Sequence, residues 1–192
     1  MTDSRVPIPF HVLFLDPDNG ARSLACEALL NHLNPEIGDG RFRAFSAGVE
    51  PGHGVPEELE HALQARGVSP AGLTRKPWTV FAGERAERID LVVTVCGDVE
   101  DTPLPGLHGE GVRVHWPVVD PMGFEAGDAR AKAMSDVVEI CYARADRLAR
   151  LPTASLEEYQ AVQVIADEAK PESHPEDYPA SYGVTTEPEP GR

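Results

Sequence analysis

The segment from Asp16 to Ser23 (DPDNGARS) holds the residues whose types and spacing best suit chemistry. It follows an apolar run at residues 11–15 and leads into apolar residues at helical spacing over 23–33. Backbone N–H groups at the entry to a helix, together with the helix dipole, form a concave site for anions. The guanidinium of Arg22 suits a bound oxyanion, and Asn19 and Ser23 suit holding the loop and capping the helix. An ordinary capped helix after a polar turn would have the same sequence. The candidate anion-binding residues are Asn19, Gly20, Ala21, Arg22 and Ser23.

Strands and helices alternate around this segment. The pattern predicts strands over residues 11–15, 43–46, 89–96 and 112–116, and helices over 23–33, 56–66, 80–88 and 126–151. Such alternation indicates a parallel sheet in a layered α/β domain. Ligands bind at the carboxyl ends of the strands in these sheets. We therefore expect the segments 16–23, 96–101 and 117–122 to meet at one edge.

The composition limits the possible functions. Among 192 residues, 32 are acidic and 17 are basic, which gives a formal net charge of −15. This charge argues against binding to nucleic acid or to an anionic membrane, because both need a positive field. The three cysteines are too scattered for a disulfide framework, and we find no membrane span or signal-peptide core. We expect a cytoplasmic protein without a cofactor, and the sequence leaves its oligomeric state open.

The last forty residues differ from the rest. Residues 153–192 contain nine acidic and two basic side chains, so they carry nearly half of the net charge. Five prolines lie between Pro171 and Pro190, among few large aliphatic residues. Such a segment buries too little apolar surface to offset its ordering entropy. We predict a domain over residues 8–152, then a mostly disordered acidic tail in which residues 156–169 could form one short helix.

Four motifs in the predicted domain resemble one family. They are the loop DPDNGARS after the first strand, Ser46-Ala47-Gly48 followed by Pro51, the strand DLVVTVC over residues 90–96, and His115-Trp116-Pro117 followed by Asp120-Pro121. In this order they resemble the low-molecular-weight protein tyrosine phosphatases and the thiol-coupled arsenate reductases over residues 10–150. The resemblance implies a three-layer α/β fold, with a four-stranded parallel sheet of order 2-1-3-4 flanked by helices. It also implies that Arg22 binds the oxyanion, that Asp120 is the general acid and that Cys96 is a possible redox cysteine.

The sequence departs from the family at the nucleophile. The family loop is Cys-x5-Arg-Ser, and Asp16 stands where the nucleophilic cysteine belongs. Thr102 stands about where another cysteine of the arsenate-reductase relay would precede a proline. The family chemistry needs a thiolate stabilised by the loop, and a carboxylate is a much poorer nucleophile. We therefore do not expect family-type thiol catalysis.

Three interpretations of Asp16 remain open. In the first, the chain binds a small anion, a phosphorylated partner or a protein surface, and Asp16 mimics the anion or pairs with Arg22. In the second, Asp16 is a nucleophile or base and Asp120 is its proton donor. In the third, Asp16 and Asp18 form the Asp-x-Asp of a Mg²⁺-dependent phosphatase.

The remaining reactive side chains fit structural roles at least as well. Cys96 ends an apolar strand, where a free cysteine is most often a small core residue. Cys26 and Cys141 fall in predicted helices and are interpreted as packing residues. The histidines have no metal-ligand spacing, so we predict no metal site.

Overall fold

A computed structural model describes residues 9–109, 111–152 and 159–168. Four strands form one parallel sheet in the order β2-β1-β3-β4, which confirms the predicted fold class. The strands are β1 (Phe10–Asp16), β2 (Phe42–Gly48), β3 (Leu91–Thr94) and β4 (Val112–His115). The helices are α1 (Ala21–Leu33), α2 (Glu57–Ala65), α3 (Asp128–Arg150) and α4 (Tyr159–Glu168).

Side-chain alternation along β1 divides the core into two parts. Val12 and Phe14 pack with residues of all four helices in the larger cluster. Leu13 and Leu15 point to the opposite face and pack with Phe81 and other residues of a smaller cluster. Because both faces of β1 are covered, the strand is almost entirely apolar, as its sequence suggests. This central strand fixes the position of Asp16 at its carboxyl end.

The predicted helix over residues 80–88 is wrong. In place of this helix the structure has a 3-10 turn, Trp78–Phe81, which covers the face of the sheet that carries Leu13 and Leu15. Gly83 then takes a positive φ of 89° and its N–H donates to the carbonyl of Gly106 at 2.8 Å. Ala82 forms a bridge with Leu107. The backbone therefore bonds to a distant segment, and helical periodicity alone cannot reveal that alternative.

Helix α4 lies beyond residue 152, where the sequence places the end of the domain. Val162 and Ile165 are buried and belong to the larger core cluster. The other parts of the predicted tail, residues 153–158 and 169–192, lie outside the described residues. Within the part of the chain that the structure describes, no helix is long and apolar enough to cross a membrane.

Candidate functional site

The loop between β1 and α1 encloses the Asp16 carboxylate. Asp16 is fully buried; the N–H of Gly20 donates to its Oδ1 at 3.3 Å, and the N–H of Ser23 donates to its Oδ2 at 3.1 Å. The first four N–H groups of an α-helix have no intrahelical acceptor. Two of those that open α1 thus bond to Asp16. The carboxylate of Asp16 therefore satisfies part of the donor set that an anion in this loop would use.

Asp16, rather than the predicted Asn19 or Ser23, satisfies the start of α1. The helix begins at Ala21 with Gly20 as its N-cap, so Ser23 is its third residue and cannot cap it. The sequence pattern placed the helix start at Ser23, because the loop residues before it are polar. The carboxylate that ends β1 reaches across the loop and replaces the side-chain cap.

Asn19 holds the loop against the neighbouring strand. Its amide Nδ2 donates to the hydroxyls of Ser23 and Ser46, both at 2.9 Å, and its Oδ1 accepts the N–H of Lys76 at 2.7 Å. Asn19 has a left-handed φ of 49°, which asparagine tolerates better than most residues. Its side chain therefore fixes the loop, while the groups left to meet a ligand come from Arg22 and the backbone.

Two residues of this network were missed in the sequence. Glu27 accepts the hydroxyl proton of Ser46, and the Lys76 ammonium lies 3.4 Å from the same carboxylate. Ser46 was noticed only as part of a motif, and Glu27 resembles any acidic residue on a helix. A lysine in an otherwise acidic chain gives no signal of its own, because its partners are far away in the sequence.

Arg22 brings the predicted site residues together. The guanidinium Nη1 donates to the carbonyl of Val118 at 3.3 Å, and Nη2 lies 3.4 Å from Asp120 Oδ2. Arg22 also interacts electrostatically with Cys96 and with Asp16. Burial opposes its charge, yet Asp120, Cys96 and Asp16 together raise the pKa of Arg22 above its ordinary value. The three predicted loop segments thus meet at one guanidinium.

The expected direct pairing of Asp16 with Arg22 takes a different form. Asp16 accepts hydrogen bonds from the N–H of Gly20 and from Ser23, and Arg22 acts on it through its charge. Burial, opposed by these bonds and by Arg22, raises the pKa of Asp16 above its ordinary value. The buried carboxylate of Asp16 therefore takes up a proton at a higher pH than an exposed carboxylate does.

Asp120 lies at the mouth of the site. Its side chain is 44% exposed, and its Oδ1 accepts the N–H of Met122 at 3.0 Å at the start of the short 3-10 turn Pro121–Gly123. The loop that carries Asp120 follows β4.

Helix α4 holds the end of that strand. The amide of Gln163 bonds to both the N–H and the carbonyl of His115, and the indole of Trp116 donates to the carbonyl of Val162 at 3.1 Å.

The three cysteines differ in their surroundings. Cys96 is half-buried beside Arg22, and its thiol donates to Asp98 Oδ2 at 3.6 Å. Burial, opposed by Arg22, raises the pKa of the Cys96 thiol, which disfavours the reactive thiolate. Cys26 and Cys141 are free cysteines buried in the larger core cluster, and Cys141 beside it, together with burial, raises the pKa of the Cys26 thiol.

Asp18 is not directed at a metal. Its Oδ2 lies 3.3 Å from Arg75 Nη1, so a cation already neutralises it. The loop also runs directly into α1. Among the residues that the structure describes, no three His, Cys, Asp or Glu side chains form a group that could hold a metal ion.

A family model described as low molecular weight phosphotyrosine protein phosphatase matches residues 11–144 of this chain. The match covers the whole sheet, α1, α2 and most of α3. Among curated protein sequences, none matches this chain.

Solved structures of similar fold include arsenate reductases and phosphatases. An arsenate reductase in the phosphate binding state is 21% identical with a TM-score of 0.57, and the match covers 77% of this chain and 98% of that one. An arsenate reductase from Archaeoglobus fulgidus is 27% identical with a TM-score of 0.50, over 72% and 98% of the two chains. Vibrio vulnificus Wzb in complex with benzylphosphonate is 13% identical with a TM-score of 0.56, over 74% and 99%.

Proposed function

The chain belongs to the low molecular weight phosphotyrosine protein phosphatase family, and from this premise we propose that its loop between β1 and α1 binds a tetrahedral oxyanion or a phosphorylated ligand without thiol-based catalysis. The observation that carries the proposal is the place of Asp16. A carboxylate ends β1 and accepts the N–H groups of Gly20 and Ser23, where a thiolate would have to lie to use the same donors. The loop keeps its donors but not the nucleophile.

The surroundings of the loop support anion binding. Arg22 is buried and offers a charged fork of donors, whose bonds to Val118 and Asp120 at 3.3 and 3.4 Å are long for charged groups. An oxyanion would make shorter bonds to the same donors. In this proposal the N–H groups of Ala21 and Arg22, at the start of α1, also donate to the oxyanion. The dipole of α1 favours its negative charge, as does the guanidinium of Arg22.

Calorimetric titration of the full chain with inorganic phosphate tests the binding. We expect Arg22→Ala to lower the affinity at least about tenfold, because it removes a charge-assisted pair of hydrogen bonds. Arg43→Ala is the matched control, since Arg43 pairs with Glu87 at the surface and lies 55% exposed. If the wild-type protein and Arg22→Ala bind phosphate with equal affinity, phosphate does not bind at this loop and the proposal is wrong.

A paired activity assay tests the absence of thiol catalysis. Wild-type protein and Asp16→Cys are compared with an aryl phosphate, and with arsenate plus a thiol. We expect turnover only in the cysteine variant, because the rest of the loop is in place. Turnover by the wild-type protein that Asp16→Asn abolishes, with a covalent adduct on Asp16 by mass spectrometry, would instead favour an enzyme that uses Asp120 as proton donor.

A further inference from the structure

The Asp16 carboxylate also determines which oxyanions the loop can accept. It is fully buried, and the bonds from Gly20 and Ser23 use one position on each of its two oxygens. An ionised carboxylate has about four acceptor positions and no donor. A ligand held by the buried guanidinium of Arg22 at this loop would therefore meet further acceptor positions of Asp16 in a site that excludes water.

The oxygens of Asp16 and those of a bound oxyanion are all acceptors, so they can form a hydrogen bond to each other only if one of them carries a proton. Like charges in a shared buried site exclude each other unless one group is protonated, as happens in carboxylate pairs. We propose that Asp16 makes the loop selective for tetrahedral oxyacids that still carry a proton, over oxyanions that carry none. This inference rests on the proposed function, because it concerns the same loop.

The requirement separates ligands that otherwise have the same shape. At neutral pH and somewhat above, inorganic phosphate and arsenate keep one hydroxyl, which can donate to Asp16. Sulfate keeps none, and a phosphate monoester loses its last proton with a pKa near 6. The loop thus favours inorganic phosphate or arsenate over both sulfate and a phosphorylated side chain. The preference arises because Asp16 repels an oxyanion that carries no proton.

The groups around Asp16 act on it in both directions. Arg22 and the N–H and hydroxyl of Ser23 stabilise its charge, whereas burial and Asp18 on the same loop oppose it. At the far side of Arg22, Asp120 and Cys96 compete for the guanidinium. At low pH Asp16 itself supplies the missing proton, so we expect sulfate binding to strengthen as the pH falls, and phosphate binding to change less.

The test is calorimetric titration of the full chain with phosphate, sulfate and phenyl phosphate at about pH 8, where the monoester is a dianion. We expect phosphate to bind at least about tenfold more tightly than the other two, because each of them leaves buried acceptors facing each other without a donor. In Asp16→Asn the amide offers a donor, so sulfate and phenyl phosphate should gain affinity and the preference should disappear. Asp18→Asn makes the same change of charge in the same loop and should keep the preference, since Asp18 pairs with Arg75.

The outcomes distinguish this inference from the proposed function. If phosphate and sulfate bind the wild-type protein equally, the selection fails and anion binding stands. If none of the three binds, the proposed function fails and the selection fails with it. If Asp16→Asn does not fold, the wild-type protein still decides: sulfate affinity that does not rise as the pH falls from about 8 through the folded pKa of Asp16 overturns the inference.

Discussion

The loops after β1 and β4 present the same functional group in opposite surroundings. Asp16 ends β1, is fully buried and accepts two backbone N–H groups. Asp120 follows β4, its side chain is 44% exposed, and its carboxylate forms an ion pair with Arg22. The β1 loop is thus built around its carboxylate, whereas the β4 loop holds its carboxylate at the entrance.

The two loops are also held by different means. Hydrogen bonds from Asn19 to Ser23 and Ser46 join the β1 loop to helix α1 and to the neighbouring strand β2. The β4 loop depends on α4, an element that follows the part of the chain matched by the family model. Buried networks are strong when every member is satisfied and costly when one member is lost. We therefore expect changes in the β1 loop to affect the whole fold, and changes near the β3 and β4 loops to have local effects.

Glycine substitutions give the largest expected contrast. A Cβ added at Gly48 would lie 2.5 Å from the backbone nitrogen of Asn19 and 2.8 Å from the carbonyl carbon of Asp18. Backbone cannot move aside easily, so Gly48→Ala should destabilise the protein by about 3 kcal/mol or more. At Gly97, after β3, a Cβ meets nothing within 4 Å and φ is not positive, so Gly97→Ala should change stability by less than about 1 kcal/mol. Urea unfolding measures both, and a small effect of Gly48→Ala would show that the β1 loop is less tightly packed than the comparison requires.

Removing the two carboxylates compares the loops directly. Asp16→Ala leaves the N–H groups of Gly20 and Ser23 without their acceptor in a buried place, which should cost about 2 kcal/mol. Asp120→Ala removes an exposed ion pair with Arg22 and one loop bond, which should cost less than about 1 kcal/mol. The measurement is the free energy of unfolding in urea for each variant. A larger loss for Asp120→Ala than for Asp16→Ala would reverse the assignment of roles.

The sequence predicts most of the sheet edge because its signals are local. The apolar run before Asp16 and the helical spacing after Ser23 predict β1, the loop and α1. Parallel strands share one carboxyl edge, so the meeting of Arg22, Cys96 and Asp120 follows once the strands are known. The residue that departs from the family pattern, Asp16, is visible in the sequence without any structure.

Long-range pairing explains what the sequence does not predict. The cap of α1 comes from Asp16 because the loop folds back on the strand end, and the sequence pattern shows only polar residues there. Lys76 and Gln163 act through hydrogen bonds to residues 57 and 48 positions away. Neither residue belongs to a motif, and each looks like ordinary surface. Their roles come from the tertiary arrangement, which single-sequence patterns do not contain.

The last contrast concerns the pH dependence of the β1 loop. Burial raises the pKa of Asp16 above its ordinary value of 3.8, so the folded protein keeps this proton after the unfolded chain has lost it. The contribution of Asp16 to stability is therefore fully present below about pH 3.8 and is lost as the pH rises through the folded pKa. Each unit between the two pKa values is worth about 1.4 kcal/mol. Asp16→Asn lacks this titration, so the wild-type free energy of unfolding, minus that of the variant, should fall as the pH rises across this window. Urea unfolding at a series of pH values measures the difference. A difference that rises instead would mean that the hydrogen bonds from Gly20 and Ser23 and the charge of Arg22 outweigh burial, and that Asp16 is held as a carboxylate throughout.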